Sequence, residues 1–184
     1  MKDKISFVNF CNLGDTELLK ILQIRNTEAI RLQMRHQEVI TEAEHLQFCH
    51  SLKERDDLFY YAVYFNSKLV GVIDFKLKDK QERSYESGAY FQKVPSHVST
   101  AAIQSSLNIC RHFDLRQDFI LVRKENEISL LFNIMKMKFQ PISEDDQYYY
   151  LKGMKLTEEY PENLAWIESN NTRLNKIVDI EYRF

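Results

Sequence analysis

Between Ser84 and Phe91, Tyr85, Ser87, Ala89 and Phe91 alternate with Glu86, Gly88 and Tyr90, the period-two pattern of a strand. Pro95 cannot continue a central strand, so the chain must turn there. From Ser99 onward Ile103, Leu107 and Cys110 recur at helical spacing, and Ile109 and Phe113 widen the stripe. Ser96, Ser99 or Thr100 is placed to cap this helix. The stretch from Ser84 to Phe113 therefore reads as strand, loop and helix. Such a junction offers an anion unpaired N–H groups and the positive end of a helix dipole. The same pattern also describes an ordinary βα unit.

Around this unit the patterning predicts a mixed α/β chain. Ile5 to Phe10 reads as a strand, and Asp15 as the N-cap of a helix through Leu18, Leu19 and Leu22 to about Arg25. A short helical piece follows through Ile30 and Met34. Thr41-Glu42-Ala43-Glu44 is a capping box that opens a helix carrying His45, Phe48, Cys49 and Leu52 on one face. Leu58–Phe65 and Leu69–Leu77, joined by Asn66-Ser67-Lys68, form a predicted β-hairpin. The charged run from Lys76 to Arg83 reads as a solvated turn. Asp118 to Arg123 is a buried-strand candidate, and Asn126 to Lys136 a helix with Ile128, Leu131, Phe132 and Met135 on its apolar stripe. Phe139–Ile142 and Gln147–Leu151 close the pattern as two strands about the Glu144-Asp145-Asp146 turn. A last helix opens at Pro161 and includes Leu164, Trp166 and Ile167, which need a surface to cover.

With 184 residues the chain is long enough to bury one core. A net charge of −2 gives no reason to expect nucleic acid or an anionic membrane surface. Three scattered cysteines, Cys11, Cys49 and Cys110, suit reduced thiols in the cytoplasm rather than a disulfide framework. The longest apolar run is too short to span a bilayer, and the first ten residues have no signal-peptide core. The four glycines are too far apart for a P-loop or dinucleotide fingerprint. His45 and Cys49 stand at i,i+4 spacing with no further ligand nearby, so no metal site is expected.

The element order resembles that of the GNAT superfamily of acyl-CoA-dependent N-acyltransferases, and most of all its branch acting on UDP-linked amino-dideoxy sugars. Ile24-Arg25-Asn26 resembles that branch's W-R-N, with Met34 at the expected distance, and Glu44-His45-Leu46-Gln47-Phe48 its E-H-L-x-F. Leu69-Val70-Gly71-Val72-Ile73-Asp74-Phe75 is similar to its central strand, and Glu86-Ser87-Gly88-Ala89-Tyr90 to its E-x-G-x-Y. The resemblance implies a GNAT fold over residues 1–152, with a six- to seven-stranded mixed sheet splayed between the fourth and fifth strands. Residues 153–184 then form a C-terminal helical extension packing on the domain or on a partner subunit in a homodimer.

It also implies acetyl-CoA as co-substrate and a small-molecule amine as acceptor, with a nucleotide-linked amino sugar first among them. The diphosphate loop, Q/R-x-x-G-x-G/A in the family, falls on His97-Val98-Ser99-Thr100-Ala101-Ala102, where only Ala102 agrees. Backbone groups of Leu121, Val122 and Arg123 would hold the donor and polarise its carbonyl. Asn126 and Phe139 fit N-x-x-A-x-x-x-Y with G-F closing, but with one residue more between them. Ser129 takes the alanine place, Asn133 the tyrosine place and Lys138 the glycine place. Glu86 is the candidate base, directly or through a water, with Asp74 second. Arg25 and Asn26 would read the sugar or its phosphates, while Met34, His45 and Tyr90 line the acceptor pocket. The missing glycines and tyrosine motivate a different class, a GNAT-like binding or regulatory module without catalysis. A third reading keeps the donor but changes the acyl group or takes a protein N-terminus as acceptor.

Overall fold

A computed structural model describes residues 2–184. Its centre is a hairpin whose two residues of positive φ, Asn66 and Ser67, turn β2 (Leu58–Phe65) into β3 (Lys68–Asp79). Such a turn matches the twist of the flanking strands. β4 (Ser84–Phe91) adds antiparallel to β3, and β1 (Asp3–Asn9) to β2. β5 (Gln117–Arg123) lies parallel to β4 through α4 (Ser96–His112). A second antiparallel pair, β6 (Gln140–Glu144) and β7 (Tyr148–Lys155), follows α5 (Glu127–Met135) and joins β5 through β7.

The two faces of the sheet are covered by different helices. Odd-numbered residues of β2 to β4, namely Tyr61, Val63, Ile73, Phe75 and Tyr85, form the larger core with α4 residues Val98, Ala102 and Ile109. Even-numbered Ala62 and Val72 face Leu18 and Ile21 of α1 (Asp15–Arg25) and Cys49 of α3 (Glu42–Ser51). The Thr41 capping box is present at α3. Gly14, not Asp15, is the N-cap of α1. Between α1 and α3 the short α2 (Glu28–Arg31) leads into an irregular segment.

The tail is not wholly helical. α6 (Pro161–Leu174) packs on the larger core through Ile167, Leu174 and the half-buried Trp166, and the chain then continues into β8 (Val178–Arg183). β8 pairs parallel with β1, which brings the sheet to eight strands in the order β6-β7-β5-β4-β3-β2-β1-β8, one or two more than the resemblance implies. A polar clasp fixes it. Asn108 and Asn171 exchange two side-chain hydrogen bonds, Arg173 donates to Gln104, and Tyr182 Oη donates to the Ser105 carbonyl at 2.9 Å. Val178, Ile180 and Tyr182 follow a period-two pattern that marks the strand.

The α5 stripe also differs from expectation. Leu130 and Phe132 pack on the core, whereas Ile128, Leu131 and Met135 face outward. The helix begins at Asn126, whose side chain caps Ser129 N–H, and this sets which face turns inward.

Candidate active site

β4 and β5 are paired for only three residues, Ser84 with Gln117, Tyr85 with Asp118 and Glu86 with Phe119, and then part. Beyond that point both strands present bare edges. Lys124 N–H donates to the Gln147 carbonyl of the β7 side, so by alternation Leu121 and Arg123 turn their N–H groups toward β4 and into the gap. Val122, between them, sends its side chain into the core. A cleft of about 920 Å³ opens on the α1/α3 face of this splay, lined by Glu86, Phe119, Leu121, Arg35, Tyr148 and Tyr150, among others.

Glu86 sits at the mouth of the splay, with its side chain 13% exposed. It accepts from Arg35 Nη2 at 3.0 Å, and Lys78 Nζ lies 3.0 Å from its second oxygen. Burial pushes its pKa up, but the Lys78 hydrogen bond and the charges of Arg35, Lys78 and Lys76 outweigh this and leave the carboxyl below its ordinary value. Glu86 is therefore ionised at neutral pH, a weak proton acceptor and a strong hydrogen-bond acceptor. Next to it on the same face, Asp74 lies against Gly88, where a Cβ would stand 2.7 Å from Asp74 Oδ1. The glycine of E-x-G-x-Y is thus the space a buried carboxylate occupies. Burial pushes Asp74 up, with Lys76 3.6 Å away opposing.

The structure places the other residues singled out from the sequence as follows. The segment His97–Ala102 is not a loop, because α4 already starts at Ser96 with Pro95 as N-cap. Val98, Ala101 and Ala102 are buried in the core, so they present no side chain to a ligand. His97 faces Asp3, Ile5 and Val178 near the β1–β8 edge, away from the splay. Ser99 bonds back to the Ser96 carbonyl, and Thr100 is half-buried. No side chain caps α4, which leaves the Ser96 and His97 N–H groups at its start, while Val98 N–H donates to the Pro95 carbonyl.

Arg25 and Asn26 hold their own chain. Arg25 Nη2 donates to the His36 carbonyl at 2.7 Å, and Asn26 exchanges two hydrogen bonds with the Ile40 backbone. Arg31 donates to the Gln37 carbonyl. Together they fold residues 32–41, including Met34, into the segment that delivers Arg35 to Glu86. Arg25 Nη1 remains buried without a partner among the described residues, and its charge is felt at Tyr90. His45 is a clasp between helices. Its Nε2–H donates to the Leu18 carbonyl at 3.0 Å, Cys49 Sγ lies 3.5 Å away, and burial keeps the ring neutral. Asn126 caps α5, and Asn133 donates back to the Ser129 carbonyl.

Sequence reasoning missed Arg35, Lys78, Tyr148, Tyr150 and Asp145. Lys78 lay in the run read as a turn, yet β3 continues to Asp79 and Leu77 packs on the core. Alternation of Lys76, Leu77 and Lys78 was the available signal. Tyr148 and Tyr150 share one face of β7, with Arg123 over the Tyr148 ring and Tyr150 Oη donating to Asp145 at 2.6 Å. Among the described residues no three of His, Cys, Asp and Glu converge as a metal site. No described helix is long and apolar enough to cross a membrane.

Neither a protein-family model nor a curated protein matches the sequence. Solved structures do match the fold. The Campylobacter jejuni N-acetyltransferase PseH superposes with a TM-score of 0.65 at 23% identity, over 83% of this chain and 99% of its own. FdhC, described as a nucleotide-linked sugar GNAT, gives 0.67 at 15% identity over 96% of this chain and 94% of its own. RimL, a ribosomal L7/L12 alpha-N-protein acetyltransferase solved with coenzyme A, gives 0.69 at 12% identity over 82% of this chain and 94% of its own. The splayed pair, the helix starting beyond β4 and these superpositions agree: the chain has the fold of the GNAT acetyltransferases.

Proposed function

We propose that the protein is an acetyl-CoA-dependent N-acetyltransferase acting on the amine of a small molecule, and that this molecule is a nucleotide-linked amino sugar. The observation that carries the reading is the parting of β4 and β5 after three pairs, which leaves two bare strand edges meeting a cleft that holds Glu86, Arg35 and Lys78. Bare edges in a sheet core are costly unless something pairs with them, and an amide-bearing arm does so. The inward N–H groups of Leu121 and Arg123 and the uncapped start of α4 at Ser96 and His97 fit such a donor and its diphosphate. The donor supplies an activated acetyl thioester.

Glu86 orients the neutral amine or a water beside it, fixed by Arg35 and Lys78. The cleft is large for a simple amine, and Tyr148 and Tyr150 give it aromatic walls suited to a sugar or base. PseH and FdhC, which share the fold, support the choice of acceptor. Titration calorimetry with acetyl-CoA tests the donor, and thiol release across a panel of amines, including UDP-linked amino sugars, tests the acceptor. Absence of heat at high protein and ligand concentration refutes the transferase. It would favour the second reading, a binding module, to which Asn133 in the tyrosine place of α5 points.

A further inference from the structure

Asp118 is only 6% exposed, an uncommon place for an acid with no cationic partner. Its Oδ2 accepts a hydrogen bond from Ser87 Oγ at 3.0 Å. Its Oδ1 is buried and has no partner among the described residues. The ionisable groups whose charge it feels or affects are Tyr85 of β4 and Cys110 of α4 on its own face of the sheet, and Glu86 of β4 on the other. From β7, Gly153 lies against it, where a Cβ would stand 2.9 Å from the Asp118 Cβ. Burial holds this carboxyl well above the ordinary range. Hydrogen bonds from Ser87 and the Phe119 backbone pull it back, and the Glu86 charge adds to the rise.

Ser87 is the first residue of β4 beyond the last pair with β5. Like Tyr85 its side chain turns to the α4 face, so the hydroxyl lies where the two strands part, on the other face of the sheet from Glu86 and about 13 Å along the strand from Phe91, beyond which α4 begins. A purely structural buried acid has its oxygens satisfied. This one keeps an oxygen in reserve and is wired to a hydroxyl at the closed end of the gap.

We propose that Ser87 and Asp118 deliver the proton that the leaving thiol needs, Ser87 by contact with the sulfur and Asp118 through Ser87. The inference rests on the transferase reading above and fills the role that Asn133 of α5 does not. As the carbon–sulfur bond breaks, its electron pair stays on sulfur. The bond between them then reverses: Ser87 Oγ gives its proton to that sulfur and takes the proton that Asp118 carries on Oδ2. Asp118 is left as a carboxylate and regains a proton from water, while the proton lost by the amine leaves to water beside Glu86.

Two measurements on the full chain test the pair separately from the transferase reading. Infrared spectroscopy of the free protein with isotope-labelled aspartate is expected to show a protonated carboxyl band that Asp118→Asn removes and Ser87→Ala shifts. A wild-type spectrum in which no band responds to Asp118→Asn overturns the proposal. Kinetics then compare acetyl-CoA with the acetyl thioester of thionitrobenzoate, an acidic thiol that leaves without a proton. Ser87→Ala is expected to lower kcat with acetyl-CoA on the order of 100-fold and to leave the activated thioester nearly untouched. Equal loss on both donors overturns the proton role. Wild type that binds no coenzyme A in the calorimeter overturns the transferase reading itself.

Discussion

Replacing Asp118 by Asn tests the buried acid through stability alone, without any substrate. In the folded protein the carboxyl holds its proton to a pH well above the unfolded value, because burial disfavours the charge. In the unfolded chain it ionises near the ordinary aspartate value of about 3.9. Between these two points unfolding releases one proton, so rising pH favours the unfolded state by ~1.4 kcal/mol per pH unit. For a domain of 184 residues this corresponds to a fall in Tm of about 3–5 °C per unit. Asp118→Asn keeps the shape and removes the proton. Asp74, also raised by burial, is present in both proteins and cancels in the difference. The gap in Tm between variant and wild type, measured by calorimetry upward from the ordinary aspartate value, is therefore expected to widen by about 3–5 °C per unit in favour of the variant for as long as the folded carboxyl keeps its proton. Any repacking adds a constant offset, and the slope carries the argument. Parallel curves would mean that Asp118 is ionised in the fold, and the reasoning from its burial would fail.

Glu86→Gln is expected to lower kcat by about 100-fold or more with little change in Tm, since the amide keeps contact with Arg35 but loses its charge. Because Glu86 lies below the ordinary carboxylate value, its loss of charge on acidification comes late. The acid limb of kcat/KM should then report the acceptor amine, and should survive in the variant with the same midpoint. An unchanged rate would remove Glu86 from the mechanism. His45→Ala should cost about 1–3 kcal/mol in urea unfolding, from the lost Leu18 hydrogen bond and the cavity, while KM for the acceptor stays that of wild type. A raised KM with unchanged stability would return His45 to the acceptor pocket.

The outcome for individual residues shows which kinds of information a sequence carries. Periodicity located the hairpin, the β4–α4–β5 crossover and α6, because each buries an apolar face whose period is written in side chains. The Thr41 capping box was legible for the same local reason. What failed was whatever depends on where backbone hydrogen bonds go. α4 starts at Ser96, ahead of the segment aligned to a glycine-rich loop, and nothing in Ser96-His97-Val98 distinguishes a first helical turn from the loop before it. Arg25 and Asn26 have the chemistry to read phosphates, yet their donors go to His36 and Ile40 carbonyls of a segment without a sheet or helix to satisfy it.

That expenditure is what builds the site. With residues 32–41 pinned from beneath, Arg35 reaches Glu86, and the cation that faces the cleft comes from a position no motif marked. Lys78 arrives in the same way, on a strand end that composition disguised as a turn. A site assembled from cross-strand and loop contacts is thus invisible residue by residue. The one carboxylate common to these contacts, Glu86, entered through the Glu86–Tyr90 stretch that resembles E-x-G-x-Y, and only the structure shows that the pairing of its strand with β5 stops beside it.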